Sequence, residues 1–317
     1  MTLKILISAP YMQPVIEQFT SWFDGPEQDI ELVVPQVNER LSEEELLGHI
    51  SEIDGVICGD DAFTEKVMLA APRLKVISKW GTGIDSIDQE AAKRLGIAVC
   101  NTADAFTHPV ADSVLGYMLC FARRIPWMDR DIRAGNWIKP MGFSLREATL
   151  GIIGIGNVGR AVARRAAGFD MRILGNDVLR VPEDLVAETG LLPVDKNELL
   201  EQADFVSLNC DLNPTSRHII GSPELAIMKN TAYLINTARG PLVDEFALVD
   251  ALNSGDIAGA GLDVFEGEPL PKESGLMKLD NCLIAPHNAN SSPEAYQRVH
   301  ENTIRNLLDH ISAGDRA

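Results

Sequence analysis

Basic residues are scarce in this chain. Twenty-eight lysines and arginines stand against 46 aspartates and glutamates, a formal charge of −18 over 317 residues. A surface of that sign repels phosphate backbones and anionic lipid, so neither a nucleic acid nor a membrane is expected as a partner. An anionic substrate would need a local cation to hold it. Cysteine is sparse too. Cys58, Cys100, Cys120, Cys210 and Cys282 are far apart, odd in number and mostly set in apolar runs, with no CxxC pair. A disulfide framework or a structural zinc site is therefore not expected, and no metal is assigned. Buried thiols in a reducing cytoplasm are the plain reading. No apolar run reaches the ~18 residues of a membrane span. From Met1 the chain runs straight into a strand pattern, with no apolar core of signal-peptide length. Repeats of fixed period and low-complexity stretches are absent.

What is present suits a globular protein of about two domains. Apolar residues make up 45% of the chain and charged residues 23%, ample for a core. Short apolar runs alternate with amphipathic stretches. Residues 3–7, 30–34, 55–58, 74–78 and 97–100 read as strands, with helical stretches at 14–22, 43–50, 65–70 and 88–95 between them. Ser42 and Glu45 have the spacing of a capping box. A longer helix is expected over 110–135, entered through Thr107-His108-Pro109 and kinked or broken at Pro126. A second series of strands follows at 149–153, 172–174, 205–208, 233–236, 259–264 and 282–285. A last helix spans 293–311, with Ser292 as cap and Pro293 in its first turn. Strands alternating with helices imply parallel sheets covered on both faces. The fold class is α/β, with two doubly wound units.

The sharpest motif is Gly154-Ile155-Gly156-Asn157-Val158-Gly159. G-x-G-x-x-G alone is weak, but here a strand precedes it and a helix follows. Asp177 ends the next strand, 23 positions after Gly154, as in a dinucleotide fold. Gly154 permits the tight turn, Gly156 a close approach to the pyrophosphate, and Gly159 close helix–strand packing. The helix N-terminus offers N–H groups to the phosphates. Asp177 suits an adenosine ribose and repels a 2′-phosphate, which favours NAD; Arg180 nearby keeps NADP as the alternative. The bland alternative is a glycine turn that binds nothing.

Ligands of open parallel sheets sit at the C-terminal strand ends. Three later strands end in useful groups: 233–236 runs to Arg239, 259–264 to Glu268, and 282–285 to His287. Singly, each also has a bland reading as a surface ion pair, a turn or a core histidine. Together they suit hydride transfer to a 2-keto acid. Arg239 would hold the carboxylate and polarise the carbonyl. His287 would exchange the proton. Glu268 would fix the imidazole tautomer.

At this point the chain resembles the D-isomer-specific 2-hydroxyacid dehydrogenases of the phosphoglycerate dehydrogenase type. The resemblance rests on Lys79 to Asp88, on Gly154 to Gly159 with Asp177, on Ile235 to Gly240, on Leu262 to Pro269, and on Pro286-His287. It implies a flavodoxin-like substrate domain, 1–100 plus 288–317, and a Rossmann NAD-binding domain, 101–287. It implies Arg239, Glu268 and His287 as catalytic residues. Gly154, Gly156, Asn157, Val158, Gly159, Asp177, Thr237, Ala238 and Asp263 would bind NAD, Asp263 at the nicotinamide carboxamide. Trp80, Thr82, Gly83 and Arg239 would bind substrate. A homodimer is the family's usual state. Where phosphoglycerate-specific members often carry an arginine near 58–61, this chain has Asp60 and Asp61, which counts against 3-phosphoglycerate, although Lys79 could supply a charge. The family's glutamate in the helix after the hinge is Asp112 here, and His108 is either a substrate contact or a helix-entry residue. The alternative of another class is an NAD(H)-sensing binding protein without turnover, a branch with the same fold and triad.

Overall fold

The computed structural model describes residues 2–24 and 29–311. Positions 1, 25–28 and 312–317, which the expected substrate domain includes, lie outside these residues. The chain divides into two units, one formed by residues 1–106 with 292–317 and the other by 107–291. These divisions fall a few residues beyond those expected after 100 and 287.

In the first unit, β1 (Leu3–Ile7), β2 (Ile30–Val33), β3 (Gly55–Cys58), β4 (Val76–Lys79) and β5 (Ala98–Cys100) form an all-parallel sheet in the order β2-β1-β3-β4-β5. That is the flavodoxin-like order, with its switch point between β1 and β3. The interior strands β3 and β4 are buried along their whole length, as parallel strands covered on both faces must be. Helix caps set the entries. Ser42 and Glu45 form the reciprocal capping box, Thr64 accepts from Val67 N, and Asp88 from Ala91 N. The stretch expected as a helix over 14–22 is a 3₁₀ segment, Gln13–Phe19, followed by one helical turn, Thr20–Phe23. The helix Pro293–Ile311 returns to this unit, and Ser78 Oγ donates to its Thr303 O at 2.8 Å.

The second unit holds β6 (Thr149–Ile153), β7 (Arg172–Asn176), β8 (Leu192–Pro193), β9 (Phe205–Leu208), β10 (Tyr233–Asn236), β11 (Gly259–Leu262) and β12 (Cys282–Ile284). They pair in the order β12-β11-β10-β9-β6-β7-β8, all parallel. This is the Rossmann order with one further strand beyond the sixth. Two hydrophobic clusters fill the unit: Leu199, Leu234, Leu248 and Leu252 belong to one, and Val162, Ile173, Phe121 and Phe205 to the other. The long helix expected over 110–135 is two helices, Thr107–Arg123 and Ile125–Arg133. The break is at Arg124, whose φ of +57° is left-handed. Pro126 therefore sits in the first turn of the second helix, where its missing N–H costs nothing. No helix among the described residues is long and apolar enough to cross a membrane.

Candidate active site

The glycine turn lies between β6 and the helix Asn157–Gly168. Gly154 has φ +94°, and a Cβ there would stand 2.5 Å from Cys210 N. A Cβ on Gly159 would stand 2.0 Å from Gly154 O. Both must be glycine for the turn to close. Gly156 differs: a Cβ there would meet nothing within 4 Å. Open space thus faces the N-terminus of a 12-residue helix whose cap offers no side chain to Asn157, Val158 and Gly159. Those amides and the helix dipole suit an anion.

Asp177 follows β7. Its Oδ2 accepts from Ile155 N at 2.6 Å and its Oδ1 from Leu179 N at 2.7 Å. The carboxylate is thereby tied to the glycine turn and opens on a pocket of about 380 Å³, lined by Gly175, Asp177, Arg180, Val181, Pro193 and Val194. Arg180 is engaged by Glu183, so this cationic wall residue of the pocket has an acid beside it. Four buried polar atoms lack hydrogen-bond partners among the described residues: Ser86 Oγ, Asn290 Oδ1 and, at strand ends of this sheet, the pair Asn209 Oδ1 after β9 and Thr237 Oγ1 after β10. A buried atom left unpaired costs about 1–3 kcal/mol, so both fit a site that a polar ligand completes. The open cradle at Gly156, the tethered Asp177 and these two atoms fit a dinucleotide.

β10, β11 and β12 are sequential neighbours, so their C-terminal ends lie side by side. After β10, Asn236 Nδ2 donates to Arg239 O at 2.8 Å and Asn236 Oδ1 accepts from Ala238 N at 3.1 Å. This buried amide folds the Thr237–Arg239 turn. Arg239 Nη1 donates to Ala238 O at 2.9 Å. After β11, Asp263 is 1% exposed and accepts from Asn288 N at 2.9 Å and Ala289 N at 2.8 Å. Burial pushes its carboxyl above the usual range despite those bonds. Its carbonyl also receives His287 N at 2.7 Å. Asp263, expected as a cofactor contact, holds the histidine loop on both sides.

His287, after β12, has φ +50°, a conformation uncommon for non-glycine residues. Its Nδ1 lies 2.9 Å from Glu268 Oε2, and Glu268 Oε1 accepts from Phe265 N at 2.9 Å. An ionised carboxylate only accepts, so Nδ1 carries the proton of this bond. Both side chains keep about 30% exposure (31% and 27%), enough for a ligand to reach them.

In the other unit, Gly81 has φ +119° and the loop behind it is pinned to the strand end. Thr102 N donates to Gly81 O at 2.9 Å, Thr82 Oγ1 to Thr102 O at 3.0 Å, and Asn101 Nδ2 to Thr82 O at 2.6 Å. Gly83 follows, half-buried. Trp80, expected as a substrate contact, is 4% exposed. Its ring stacks on Tyr11, packs against Phe106 and Tyr296, and donates from Nε1 to His300 Nδ1 at 3.0 Å. That packing leaves the loop backbone, more than the indole, to a ligand. Lys79 is buried with Nζ 3.1 Å from Asp60 Oδ1. In the 107–291 unit, His108 is exposed, with Arg165 Nη2 3.4 Å from its Nδ1, and Arg165 Nε bonds Asp112 Oδ1 at 2.6 Å. Sequence reasoning missed Asn209 and Asn236. The strand-end rule that found Arg239 and His287 would have flagged both.

Known proteins resemble the chain in the same regions. A family model described as the NAD-binding domain of D-isomer-specific 2-hydroxyacid dehydrogenases matches residues 115–289. A glyoxylate reductase of Korarchaeum cryptofilum is 43% identical over 254 residues, 78% of this chain and 76% of that protein. A D-3-phosphoglycerate dehydrogenase of Methanocaldococcus jannaschii is 42% identical over 286 residues, 89% of this chain and 54% of that one. Among solved structures, a D-lactate dehydrogenase from Aquifex aeolicus, complexed with NAD and lactic acid, superposes with a TM-score of 0.88. It is 26% identical, with 98% of this chain and 96% of that one covered.

Proposed function

The chain belongs to the D-isomer-specific 2-hydroxyacid dehydrogenase family and is an NAD-dependent enzyme, and on that premise we propose that Arg239, Glu268 and His287 are its catalytic residues and that its substrate is a small unphosphorylated 2-keto acid of the glyoxylate or hydroxypyruvate kind. The observation that carries this reading is the Glu268–His287 pair, 2.9 Å apart at the strand end beside the Arg239 turn.

When bound, NADH supplies the hydride that adds to C2 of the keto acid. Arg239 holds the substrate carboxylate and draws charge onto the carbonyl oxygen. His287 Nε2 gives its proton to that oxygen as the C–O double bond becomes single. In the reverse direction the same atom takes the hydroxyl proton. Glu268 keeps Nδ1 protonated and balances the imidazolium. Asn157, Val158 and Gly159 receive the pyrophosphate, Asp177 the adenosine ribose, and Thr237, Ala238 and Asp263 the nicotinamide end. Within the 1–106 unit, the amides of Thr82 and Gly83, whose loop Trp80 fixes, are offered as anion contacts. The acids at 60 and 61 support an unphosphorylated substrate, because Asp60 already engages Lys79. A reducing cytoplasm suits the five free thiols. A homodimer would cover Trp137 and Met141, which are 81% and 93% exposed.

The test is NADH oxidation by the purified protein over a panel of 2-keto acids, phosphorylated and not, with NADPH in parallel. Turnover of an unphosphorylated acid is expected, and Asp177→Ala should raise the NADPH rate relative to NADH. Preference for a phosphorylated acid would overturn the substrate reading. Tight NADH binding without any turnover would favour the sensor alternative.

A further inference from the structure

In the loop after β11, Glu266 and Glu268 are each bonded to a histidine. Glu268 bonds His287. Glu266, two residues earlier, has its Oε1 2.6 Å from His218 Nε2, and the catalytic proposal makes no use of this second pair. His218 sits on the segment after β9 with φ +52°, a backbone state that is strained for a non-glycine residue and persists only where its surroundings hold it. Its own N–H donates to Pro241 O at 2.9 Å. Beyond it, Ile220 N donates to Leu242 O at 3.1 Å and Asp244 N to Ile220 O at 2.9 Å. The segment is thus laid along the chain that leaves Arg239. With its backbone His218 grips the arginine turn, and with its ring it grips the glutamate loop.

Those two loops touch backbone to backbone. A Cβ on Gly240 would lie 1.9 Å from Phe265 C and O, so a shift of one loop moves the other. Phe265 N is also the donor that holds Glu268 Oε1. A second brace comes from Glu245, whose Oε2 receives Glu266 N at 3.4 Å and whose Oε1 receives Ser274 Oγ at 3.2 Å. Both bonds are long, and the 2.6 Å histidine bond is the tighter tie.

We propose that His218 is a positioning residue: through Glu266 and Pro241 it fixes the Arg239 turn against the loop that carries Glu268, and so sets the arginine at the right distance from the His287 pair. The role rests on the catalytic reading above. A carboxylate accepts only, so Nε2 of His218 is the donor of the tie. A glutamine amide can supply the same donor.

The experiment compares wild type with His218→Ala, His218→Gln and Glu266→Ala, using the keto acid that wild type turns over best. His218→Ala and Glu266→Ala should each lower kcat by about tenfold or more, since a misplacement of about 1 Å at reacting groups can cost on the order of 100-fold. The NADH dissociation constant should stay within about twofold, because neither residue belongs to the proposed nucleotide contacts. His218→Gln should recover most of kcat, and the double alanine variant should be no worse than either single one. Glu266→Ala leaves the φ of His218 untouched, so it separates loss of the tie from a backbone defect. Unchanged kcat in both alanine variants overturns the proposal. So does a loss that glutamine does not restore, or one matched by a fall in NADH affinity. Absence of turnover in wild type would instead overturn the catalytic reading, and the positioning role with it.

Discussion

Two histidines, one in each unit, use the same ring nitrogen in opposite ways. His300 is 5% exposed and its Nδ1 accepts a hydrogen bond from Trp80 Nε1 at 3.0 Å. His287 is about one-third exposed and its Nδ1 donates to the Glu268 carboxylate at 2.9 Å. An acceptor Nδ1 requires the neutral ring, protonated at Nε2 alone, and aromatic surroundings reinforce neutrality. Burial indeed holds the His300 imidazolium form down, below the usual histidine range. A donor Nδ1 facing a carboxylate suits both the neutral and the charged ring, so the proton that can come and go is the one at Nε2. The chemistry of a histidine is thus set by the partner of its other nitrogen. One is part of a core, the other has the ring state that the proposed proton transfer requires.

The largest effect expected from that contrast is on turnover. His287→Asn keeps a residue type that tolerates the left-handed backbone at φ +50° but has no group to exchange a proton. kcat should fall on the order of 10²–10⁴-fold, while NADH titration by fluorescence gives an unchanged dissociation constant. His300→Gln should leave kcat nearly intact. If His300→Gln abolished turnover and His287→Asn did not, the comparison would be broken. Next in size is Glu268→Gln. The amide keeps the bond from Phe265 N but removes the charge that balances the imidazolium. A kcat loss on the order of 10²-fold is expected, read by steady-state kinetics against wild type. Equal rates would show that the carboxylate has no part in the proton transfer.

A smaller effect sharpens the other side. Trp80→Phe keeps an aromatic ring in the cluster with Tyr11, Phe106 and Tyr296 but deletes the donor to His300. The buried acceptor is left unpaired, so thermal unfolding should show a loss of about 1–2 kcal/mol. No loss would mean that the indole N–H is not what orients His300.

The two histidines were not equally legible in the sequence. His287 follows an apolar strand, and the rule that ligands gather at strand ends found it together with Arg239 and Glu268. The strands themselves were plain: 3–7, 55–58, 149–153, 205–208 and 233–236 were expected with the bounds that the structure has. β7 runs to Asn176, past Leu174, because Gly175 and Asn176 carry no apolar signal yet pair with Ile152 and Ile153. β8 is two residues with a proline, too short to stand out. The break at Arg124 hid behind Pro126, since a left-handed turn needs no marker residue. His300 was illegible because its partner Trp80 is 220 residues away in the chain. Trp80 was accordingly expected at the substrate, when its ring lies in a core. Asp263 holds Asn288 and Ala289 across a shorter gap, 25 and 26 residues, and no local pattern announces such a bond.

The smallest effect is a slope in pH. The His300 imidazole is held below its ordinary value by burial. The folded chain therefore binds the proton less readily than the unfolded chain does. Stability from this group is full above the unfolded value near 6.5 and is lost as the pH falls through the lower folded value. Protonation at Nδ1 would also break the bond from Trp80. Asp61 runs the opposite way. Burial raises its carboxyl despite bonds from Leu41 N, Ser8 Oγ and Gly59 N, so its contribution declines as the pH rises through its folded value. A comparison of wild type with His300→Gln removes Asp61 and every other shared group from the difference. Glutamine can still accept from Trp80 but does not titrate. Between pH 7.5 and 5, wild type should lose stability relative to His300→Gln by at most about 1.4 kcal/mol per pH unit, the limit for one proton. Hydrogen exchange at the β4 amides, next to Trp80, would place that loss in the 1–106 unit. Parallel pH profiles for the two proteins would mean that His300 takes up its proton as readily in the fold as in the unfolded chain, and the contrast with His287 would then rest on exposure alone.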